Sequence, residues 1–344
     1  MNLSKEGKLT RVAVDAMGGD FAPAEVVKGS VDAARKGGVE ILLVGLQEVV
    51  ESELSKHDVN GLPIQIVQAS QYLVEGEHPA MAIRQKHDAS IVVATKLVRD
   101  GKADAVVGAG PTGGVVASAL TFLGCVAGLS RPVVGGPFLR LNEKMIAMDL
   151  GGNIDCRPDQ LLDFAIVGTI YARKYLGIEN PRVGLLTIGA EEGKGNAQNQ
   201  AAYPLFKESG LNFIGNVEGL DLLSQRVDVV ICDGFVGNIL VKFTEALGRA
   251  TAKWLEKNLS GEIDNDKLKA LTAAYIAETN PADAMGGGPL FGINGVAVVS
   301  HGRSRAPEIT GAIAVACRTV ETGLVESLKV ELEKAHQVSN YREE

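Results

Sequence analysis

The sequence predicts an α/β protein, specifically an α/β/α sandwich built on a mostly parallel sheet. Short apolar runs alternate with amphipathic helical stretches along nearly the whole chain, which is typical of βαβ units. The 344 residues are 46% hydrophobic, enough for a large core in one α/β unit or in two lobes. Glycine-rich and polar clusters repeatedly follow the apolar runs, as expected at the carboxyl ends of parallel strands, where ligands bind.

Strands are predicted where a short run of mostly apolar residues stands between turn-forming residues. Helices are predicted where apolar residues recur at intervals of three and four. The predicted strands are 12–15, 41–44, 64–67, 105–108, 145–149, 183–188, 213–217, 229–233 and 296–300. The predicted helices are 24–36, 80–99, 112–127, 158–175, 196–209, 235–259 and 307–336.

Composition excludes several classes of function. The chain has 34 Lys and Arg against 42 Asp and Glu, a formal charge of -8, which argues against a nucleic-acid partner. Its four cysteines are far apart, predicting neither a disulfide framework nor a metal site. The first ten residues are polar and no apolar run is long enough to span a bilayer. We therefore expect a cytoplasmic protein.

The segment after the first predicted strand is the most informative. It reads Val12-Ala-Val-Asp-Ala-Met-Gly-Gly-Asp20, and Pro23 then opens a helix. Glycines let a backbone approach a ligand closely, and the amides at a helix start favour an anion. Because Asp15 and Asp20 would repel a phosphate, we expect them to organise the loop or to pair with basic residues.

Six such clusters follow predicted strands, and we expect them to contribute to one shared cleft. They are Gly18-Gly19, 108–114, 151–155, 189–196, 233–238 and 301–304. The second cluster contains G-x-G-x-x-G at Gly108, Gly110 and Gly113, the spacing of a dinucleotide-binding loop. That motif expects an acid about 20 residues later, and here no acid occurs before Glu143. The cluster is better interpreted as an oxyanion or phosphate cradle than as an NAD site.

Together these motifs resemble the PlsX-type phosphate acyltransferases, in the right order and across almost the whole chain. The segments that support the resemblance are 15–20, 108–113, 149–155, 189–196, 233–238, 290–292 and 301–302.

The resemblance implies that a fatty acyl group passes from acyl carrier protein to inorganic phosphate, giving acyl phosphate for phospholipid synthesis. It also implies a fold akin to phosphotransacetylase and isocitrate dehydrogenase, no cofactor, a homodimer, and a glycerol-3-phosphate acyltransferase acting downstream. The family docks peripherally on membranes through a helical pair, which corresponds here to about 239–280. Acids at its tip, Glu262, Asp264 and Asp266, favour dimer contact over anionic lipid. We expect a flexible extension over 1–10, one catalytic unit over 11–338 that can comprise two lobes, and a tail over 339–344.

The chemistry needs no protein nucleophile, because a thioester is already activated and bound phosphate can attack it directly. No Ser-His-Asp arrangement is evident in the sequence. Cys125 and Cys317 fall in apolar stretches predicted to be helical, where core packing is the ordinary role. Cys232 lies near the end of a predicted strand and is a stronger candidate for a nucleophile than the other two thiols. We still favour direct attack by phosphate.

Candidate catalytic residues each have a structural alternative. Lys194 is expected to clamp phosphate or an oxyanion, and Asn196 to contact ligand or cap a helix. Asp233 is expected to act as a base or orient a cation, or only to shape a turn. Asn238 is expected to bind phosphate or shape its turn, and His301 to shuttle a proton or hold a strand end. The expected substrate-binding residues are Asp15, Gly18, Gly19, Thr112, Gly113, Gly114, Arg84 and Ser304. Arg84 and Lys86 could form a basic rim for the acidic carrier protein, or simply a charged helix surface.

Four departures from the family pattern fall at the expected site. Phe21 replaces the usual His, Pro111 the usual Asn, and His87 the second Lys of a pair. The tail after Gly302 reads Arg303-Ser304-Arg305 in place of two serines and an acid. Two alternatives therefore stay open: an acyl-CoA phosphotransacylase on the same fold, and a non-catalytic dimeric scaffold.

Overall fold

The computed structural model describes residues 9–139, 144–280 and 285–340. Its strands are β1 (Thr10–Asp15), β2 (Val39–Gly45), β3 (Ile64–Gln68), β4 (Ala105–Gly108), β5 (Val133–Pro137), β6 (Ile146–Met148), β7 (Val183–Leu186), β8 (Phe213–Val217), β9 (Val229–Ile231), β10 (Gly288–Phe291) and β11 (Val296–Val299).

The helices are α1 (Ala24–Lys36), α2 (Gln47–Leu54), α3 (Pro79–Gln85), α4 (Ser90–Arg99), α5 (Thr112–Phe122), α6 (Pro158–Tyr175), α7 (Ala197–Glu208), α8 (Gly234–Leu259), α9 (Asn265–Thr279), α10 (Ala306–Glu321) and α11 (Leu324–Asn340). A short 3-10 helix covers Gly219–Leu223. The α/β class and the mostly parallel sheet are confirmed.

The described residues divide into two compact units. The first comprises 9–126 and 285–327, with strand order β3-β2-β1-β4-β11-β10, in which only β10 runs antiparallel to its neighbour. The second comprises 127–139, 144–280 and 328–340, with strand order β5-β6-β9-β7-β8, and only β5 is antiparallel. The first eight residues of the predicted N-terminal extension lie outside the described residues. The last four residues of the predicted tail also lie outside them.

Central strands of both units are buried on both faces, as parallel strands covered by helices must be. In the first unit β1, β4 and β11 contribute Val12, Val14, Val107 and Val298 to one core that α1 and α10 cover. In the second unit β6 and β9 are buried throughout, and α6 packs against them. None of the helices in the described part of the chain combines the length and the hydropathy that a membrane span requires.

Two strands and two helices were not predicted from the residue pattern, and one of these helices, α9, was expected only as part of the helical pair that the resemblance implies at about 239–280. The strands β5 and β10 contain Gly-Gly-Pro and Gly-Pro, which resemble turns in sequence. Both are the antiparallel members of their units, so they lie outside the βαβ rhythm on which the prediction depended. The helix α2 is only eight residues long and has one buried residue, Val50, so its apolar periodicity is weak.

Three predicted helices were too long. The stretch 80–99 is interrupted because Ser90 N donates to Gln71 O at 2.9 Å, and Ala89 forms a bridge to Gln71. The stretch 307–336 divides at Gly323, whose φ of 65° favours glycine and ends a helix. The stretch 112–127 ends at Phe122, and Cys125 then pairs with Ile293, so Cys125 is not helical.

Candidate functional site

The loop after β1 is organised by the buried carboxylate of Asp15. Its Oδ1 accepts a hydrogen bond from the backbone N of Met17 at 3.1 Å. Burial raises the pKa of Asp15, while the Ser90 hydroxyl and the amides of Met17 and Gly18 oppose that rise. Asp15 therefore organises the loop in which it lies, which is one of the two roles expected for it.

Loops after three neighbouring strands converge at Gly18 and Gly19. A Cβ on Gly18 would lie 2.7 Å from both Asp15 Oδ2 and Gly110 N, so only glycine fits. Gly19 has a φ of 110°, a conformation that other residues rarely adopt. The next amide, that of Asp20, donates to Gly302 O at 2.7 Å. The structure thus brings together the predicted clusters that follow β1, β4 and β11.

The first turn of α5 belongs to the same group of loops. Pro111 is its N-cap, and Thr112 and Gly113 are exposed in the first turn, where amides have no acceptor inside the helix. The backbone of Gly113 packs against Pro79, and that of Gly114 packs against Leu73. An anion could reach the amides of Thr112 and Gly113, whereas Gly114 is buried.

The cluster after β11 is largely internal. Ser304 is buried, and its Oγ lies 2.9 Å from Ser300 Oγ, which donates to Gly286 O at 2.6 Å. His301 is partly exposed, and its carbonyl accepts from Ser304 N at 2.9 Å. Ser304 therefore contributes to a chain of buried hydroxyls beneath the loop.

Basic residues of the first unit differ in their partners. Arg84 is exposed on α3. The neighbouring Lys86 forms an ion pair with Glu77, with 2.6 Å from its Nζ to Glu77 Oε1. Its Nζ also donates a hydrogen bond to Tyr72 O at 3.0 Å. Arg305 stacks on Phe21, with 3.3 Å from its Cζ to the ring centroid, and lies 3.5 Å from Glu25. Arg305 thus contacts both the loop after β1 and α1.

In the second unit, the loop after β6 folds around the buried Asp149. Its carboxylate accepts from the amides of Gly151, Gly152 and Asn153 at 2.9, 2.7 and 2.8 Å, and from Asn153 Nδ2 at 2.6 Å. Burial raises the pKa of Asp149, and these four donors oppose the rise. Asp149 and Asn153 lie in a segment that supports the family resemblance, but neither was among the predicted site residues.

The helix α8 begins against that loop. Asp233 is its N-cap and accepts from Val236 N at 2.8 Å, a helix-capping role that was not among the roles predicted for it. A Cβ on Gly237 would meet the carbonyl of Asp149, so glycine is required for this close approach. The side chain of Asn238 is exposed beside Gly151. The segments 151–155 and 233–238 therefore form one structure.

The loop after β7 presents Lys194. Its side chain is exposed, and its aliphatic carbons lie beside Gly189. Asn196 is the N-cap of α7 and accepts from Asn199 N at 2.9 Å, which is the structural alternative predicted for it. The loop is fixed to the sheet because Asn199 Nδ2 donates to Leu186 O at 2.7 Å. Lys194 thus stands at the start of α7, where an anion would meet both a cation and helix amides.

The thiols of the second unit are poor nucleophiles. Burial, together with the charge of Asp149, raises the pKa of Cys156 to about 12 and raises the pKa of Cys232 well above its ordinary value. In the first unit, burial raises the pKa of Cys317 to about 11. A thiol must lose its proton to attack, so these three side chains are suited to packing. No group of three or more His, Cys, Asp or Glu within the described ranges is placed to hold a metal ion.

Comparison with known proteins gives matches over almost the whole chain. A family model described as "Fatty acid synthesis protein" matches residues 10–327. The phosphate acyltransferase of Desulforamulus reducens is 44% identical over 328 residues, covering 94% of this chain and 98% of that protein. The phosphate acyltransferase of Moorella thermoacetica is 44% identical over 321 residues, covering 92% and 94%.

Solved structures share the fold at lower identity. A phosphotransacetylase from Streptococcus pyogenes has a TM-score of 0.59 and 18% identity, covering 92% of this chain and 95% of that one. The EutD phosphotransacetylase from Staphylococcus aureus has a TM-score of 0.57 and 16% identity, covering 91% and 95%. The identity to the phosphate acyltransferases and the extent of the family match lead to one conclusion: the chain belongs to the fatty acid synthesis protein family, that of the PlsX-type phosphate acyltransferases.

Proposed function

We propose that this protein transfers a fatty acyl group from acyl carrier protein to inorganic phosphate, forming an acyl phosphate. The observation that carries the proposal is the 44% identity to a phosphate acyltransferase over 94% of the chain. The geometry is compatible with such chemistry, because loops with exposed amides follow parallel strands in both units.

Phosphate binding is the part of the proposal that the site geometry supports best. In the second unit, α7 and α8 both begin just beyond strand ends, with Lys194 before one and Asn238 just after the first turn of the other. Helix amides and a lysine attract an anion, and Asn238 can donate a hydrogen bond to a phosphate oxygen. In the first unit, Thr112 and Gly113 offer a similar helix start.

We propose direct attack rather than an acyl-enzyme. A phosphate oxygen forms a bond to the thioester carbon, the carbon–sulfur bond breaks, and the thiolate leaves and takes up a proton. The raised pKa values of Cys156, Cys232 and Cys317 support this route, because none of these thiols is easily ionised. Lys194 is the candidate to stabilise charge on the phosphate or on the developing oxyanion.

Carrier protein is proposed as the donor because Arg84 offers an exposed positive charge on α3, as an acidic partner would need. Donor choice can be tested by incubating the protein with phosphate and either acyl carrier protein or CoA thioesters, then trapping acyl phosphate with hydroxylamine. Product from the carrier thioester is expected. Product from CoA thioesters alone would select the acyl-CoA alternative, and no product from either would support the scaffold alternative.

We also propose that a second copy covers the exposed apolar face of α8. Phe243, Leu247 and Trp254 are exposed on this helix, whereas Leu240 packs towards the core. An apolar stripe of this kind on a long helix is typical of an interface. Sedimentation should show a dimer that Phe243→Ser weakens at least ten-fold. An unchanged dimer would contradict the proposal, as would a monomeric wild type that binds anionic vesicles.

A further inference from the structure

Large apolar side chains are exposed beyond every parallel strand of the second unit. Ile154 follows β6, Phe235 follows β9, Ile188 follows β7, and Leu220 and Leu223 follow β8. Ile188 is 85% exposed and Leu220 is 71% exposed. Single exposed apolar residues are ordinary, but here they recur at four neighbouring strand ends. We refer to these five residues as the apolar edge.

Sheet order places these residues in a row. The strands run β6-β9-β7-β8, so three spacings of about 4.8 Å separate the first loop from the last. Two hydrogen bonds hold the last two loops together: Thr187 N donates to Val217 O at 2.8 Å, and Asn216 Nδ2 donates to Glu191 O at 2.7 Å. Ile188 is therefore fixed at the end of β8, close to where Leu220 follows.

Ile188 was predicted to end a buried strand, and the structure shows why it does not. β7 ends at Leu186, and the Thr187 hydroxyl then donates to Gly189 O at 2.7 Å, turning the chain. The turn leaves the Ile188 side chain without a covering element. A Ser or Asn would serve this turn equally well, so an isoleucine here needs another explanation.

The apolar edge shares its loops with the groups proposed to bind phosphate. Ile188 and Lys194 belong to the same loop after β7. Phe235 is in the first turn of α8, two residues after the N-cap Asp233 and about one turn before Asn238. A ligand that joins an apolar chain to a reacting polar group would match this arrangement, with its chain on the edge and its polar end at the helix starts.

We propose that the acyl chain of the thioester donor lies along the apolar edge, with its carbonyl directed to Lys194 and the starts of α7 and α8. This inference rests on the proposed function and assigns the acyl chain of its substrate a binding surface on the second unit. Each methylene that leaves water favours binding by up to about four-fold, so longer chains gain from contact with Ile188 and Leu220.

The test is a chain-length series. Butyryl, octanoyl, dodecanoyl and hexadecanoyl thioesters of the carrier protein are compared on the full-length protein, on Ile188→Ser and on Leu220→Ser. The ratio of kcat/KM for hexadecanoyl over butyryl should fall at least ten-fold in each variant. The matched control is Val49→Ser, an exposed valine on α2 of the first unit, where the ratio should stay within two-fold of wild type.

The outcomes separate the two proposals. A wild type that forms no acyl phosphate from any donor refutes the proposed function. Active variants that keep the wild-type ratio refute the acyl chain as occupant. A lost dimer or lost vesicle binding at an unchanged ratio would instead assign the edge to a second copy or to a lipid surface. Circular dichroism verifies that each variant is folded, and direct binding of dodecanoyl-CoA by calorimetry provides a second readout that does not depend on turnover.

Discussion

The guanidinium carbon of Arg305 lies 3.3 Å from the centroid of the Phe21 ring, so the two side chains are stacked on each other. Arg305 also lies 3.5 Å from Glu25, whose Oε2 accepts from Ala306 N at 2.8 Å. These contacts join the loop after β1 to the start of α10. The aromatic ring and the cation therefore act as one contact between two loops.

A double-mutant cycle measures this coupling. Phe21→Leu and Arg305→Ala should each destabilise the protein, and their combined effect should fall short of the sum by about 0.5–1 kcal/mol. Urea denaturation provides the free energies of unfolding. Phe21→Leu combined with Arg318→Ala is the control, since Arg318 is an exposed residue farther along α10, and that pair should be additive. Additivity in both pairs would show that the stacking has no energetic role.

Asp149→Asn should destabilise the second unit by about 2–4 kcal/mol. An asparagine side chain would direct a donor amide at groups that already donate, including Asn153 N and Nδ2. Chemical denaturation measures the loss. Asp155→Asn changes an exposed acid of the same loop and should cost less than about 0.5 kcal/mol. Equal stability of both variants would refute the role assigned to Asp149.

Gly18→Ala should disturb the loop after β1, because the added Cβ would lie 2.7 Å from Asp15 Oδ2 and from Gly110 N. We expect kcat/KM for acyl phosphate formation to fall more than ten-fold, together with a lower melting temperature. Gly219→Ala is the matched control, since its Cβ would meet nothing within 4 Å. An active, stable Gly18→Ala protein would exclude this close approach of the two loops.

Asp163 introduces a pH dependence of stability. Burial on α6 raises its pKa to about 6, with Asp159 adding to the rise and the Ser130 amide and Arg157 opposing it. Between about pH 4 and 6 the folded state keeps a proton that the unfolded state releases, so this group lowers stability as pH increases. The loss is complete above pH 6 and amounts to at most about 3 kcal/mol.

Asp163→Asn should therefore be more stable than wild type at pH 7.5 and nearly equal to it at pH 4, as measured by urea denaturation at both values. Asp100→Asn serves as the control because Arg99 lowers the pKa of this exposed acid, so no gain at pH 7.5 is expected. A constant difference between Asp163→Asn and wild type across the range would contradict the raised pKa.

The sequence predicted most of the fold because local patterns determine it. The helices 24–36 and 158–175 and the strands 105–108 and 213–217 were predicted with their observed bounds. Errors occurred where distant contacts decide the structure, as at Ala89, whose bridge to Gln71 ends a helix that periodicity would continue. β5 and β10 were missed because their glycines and prolines also suit turns.

Prediction of the site was limited for the same reason. The motifs located the loops after the strands, and Asn196 and Asp233 occupy helix N-caps, which local sequence can indicate. The role of Asp149 depends on four donors that converge only when the loop folds. The exposure of Ile188 depends on where β7 ends. Because Ile188 is itself apolar, the sequence does not show that the strand ends before it.

Transfer of the acyl group to phosphate is the central claim, and phosphorus NMR tests it most directly. The full-length protein is mixed with inorganic phosphate and hexadecanoyl carrier protein, with Lys194→Ala and Lys207→Ala in parallel. Lys207 is an exposed lysine near the end of α7, paired with Glu192 at 3.5 Å. We expect a new acyl phosphate resonance from wild type and Lys207→Ala, and at least a ten-fold slower appearance from Lys194→Ala. Release of the carrier thiol without any new phosphorus species, or no reaction in wild type, would contradict the account.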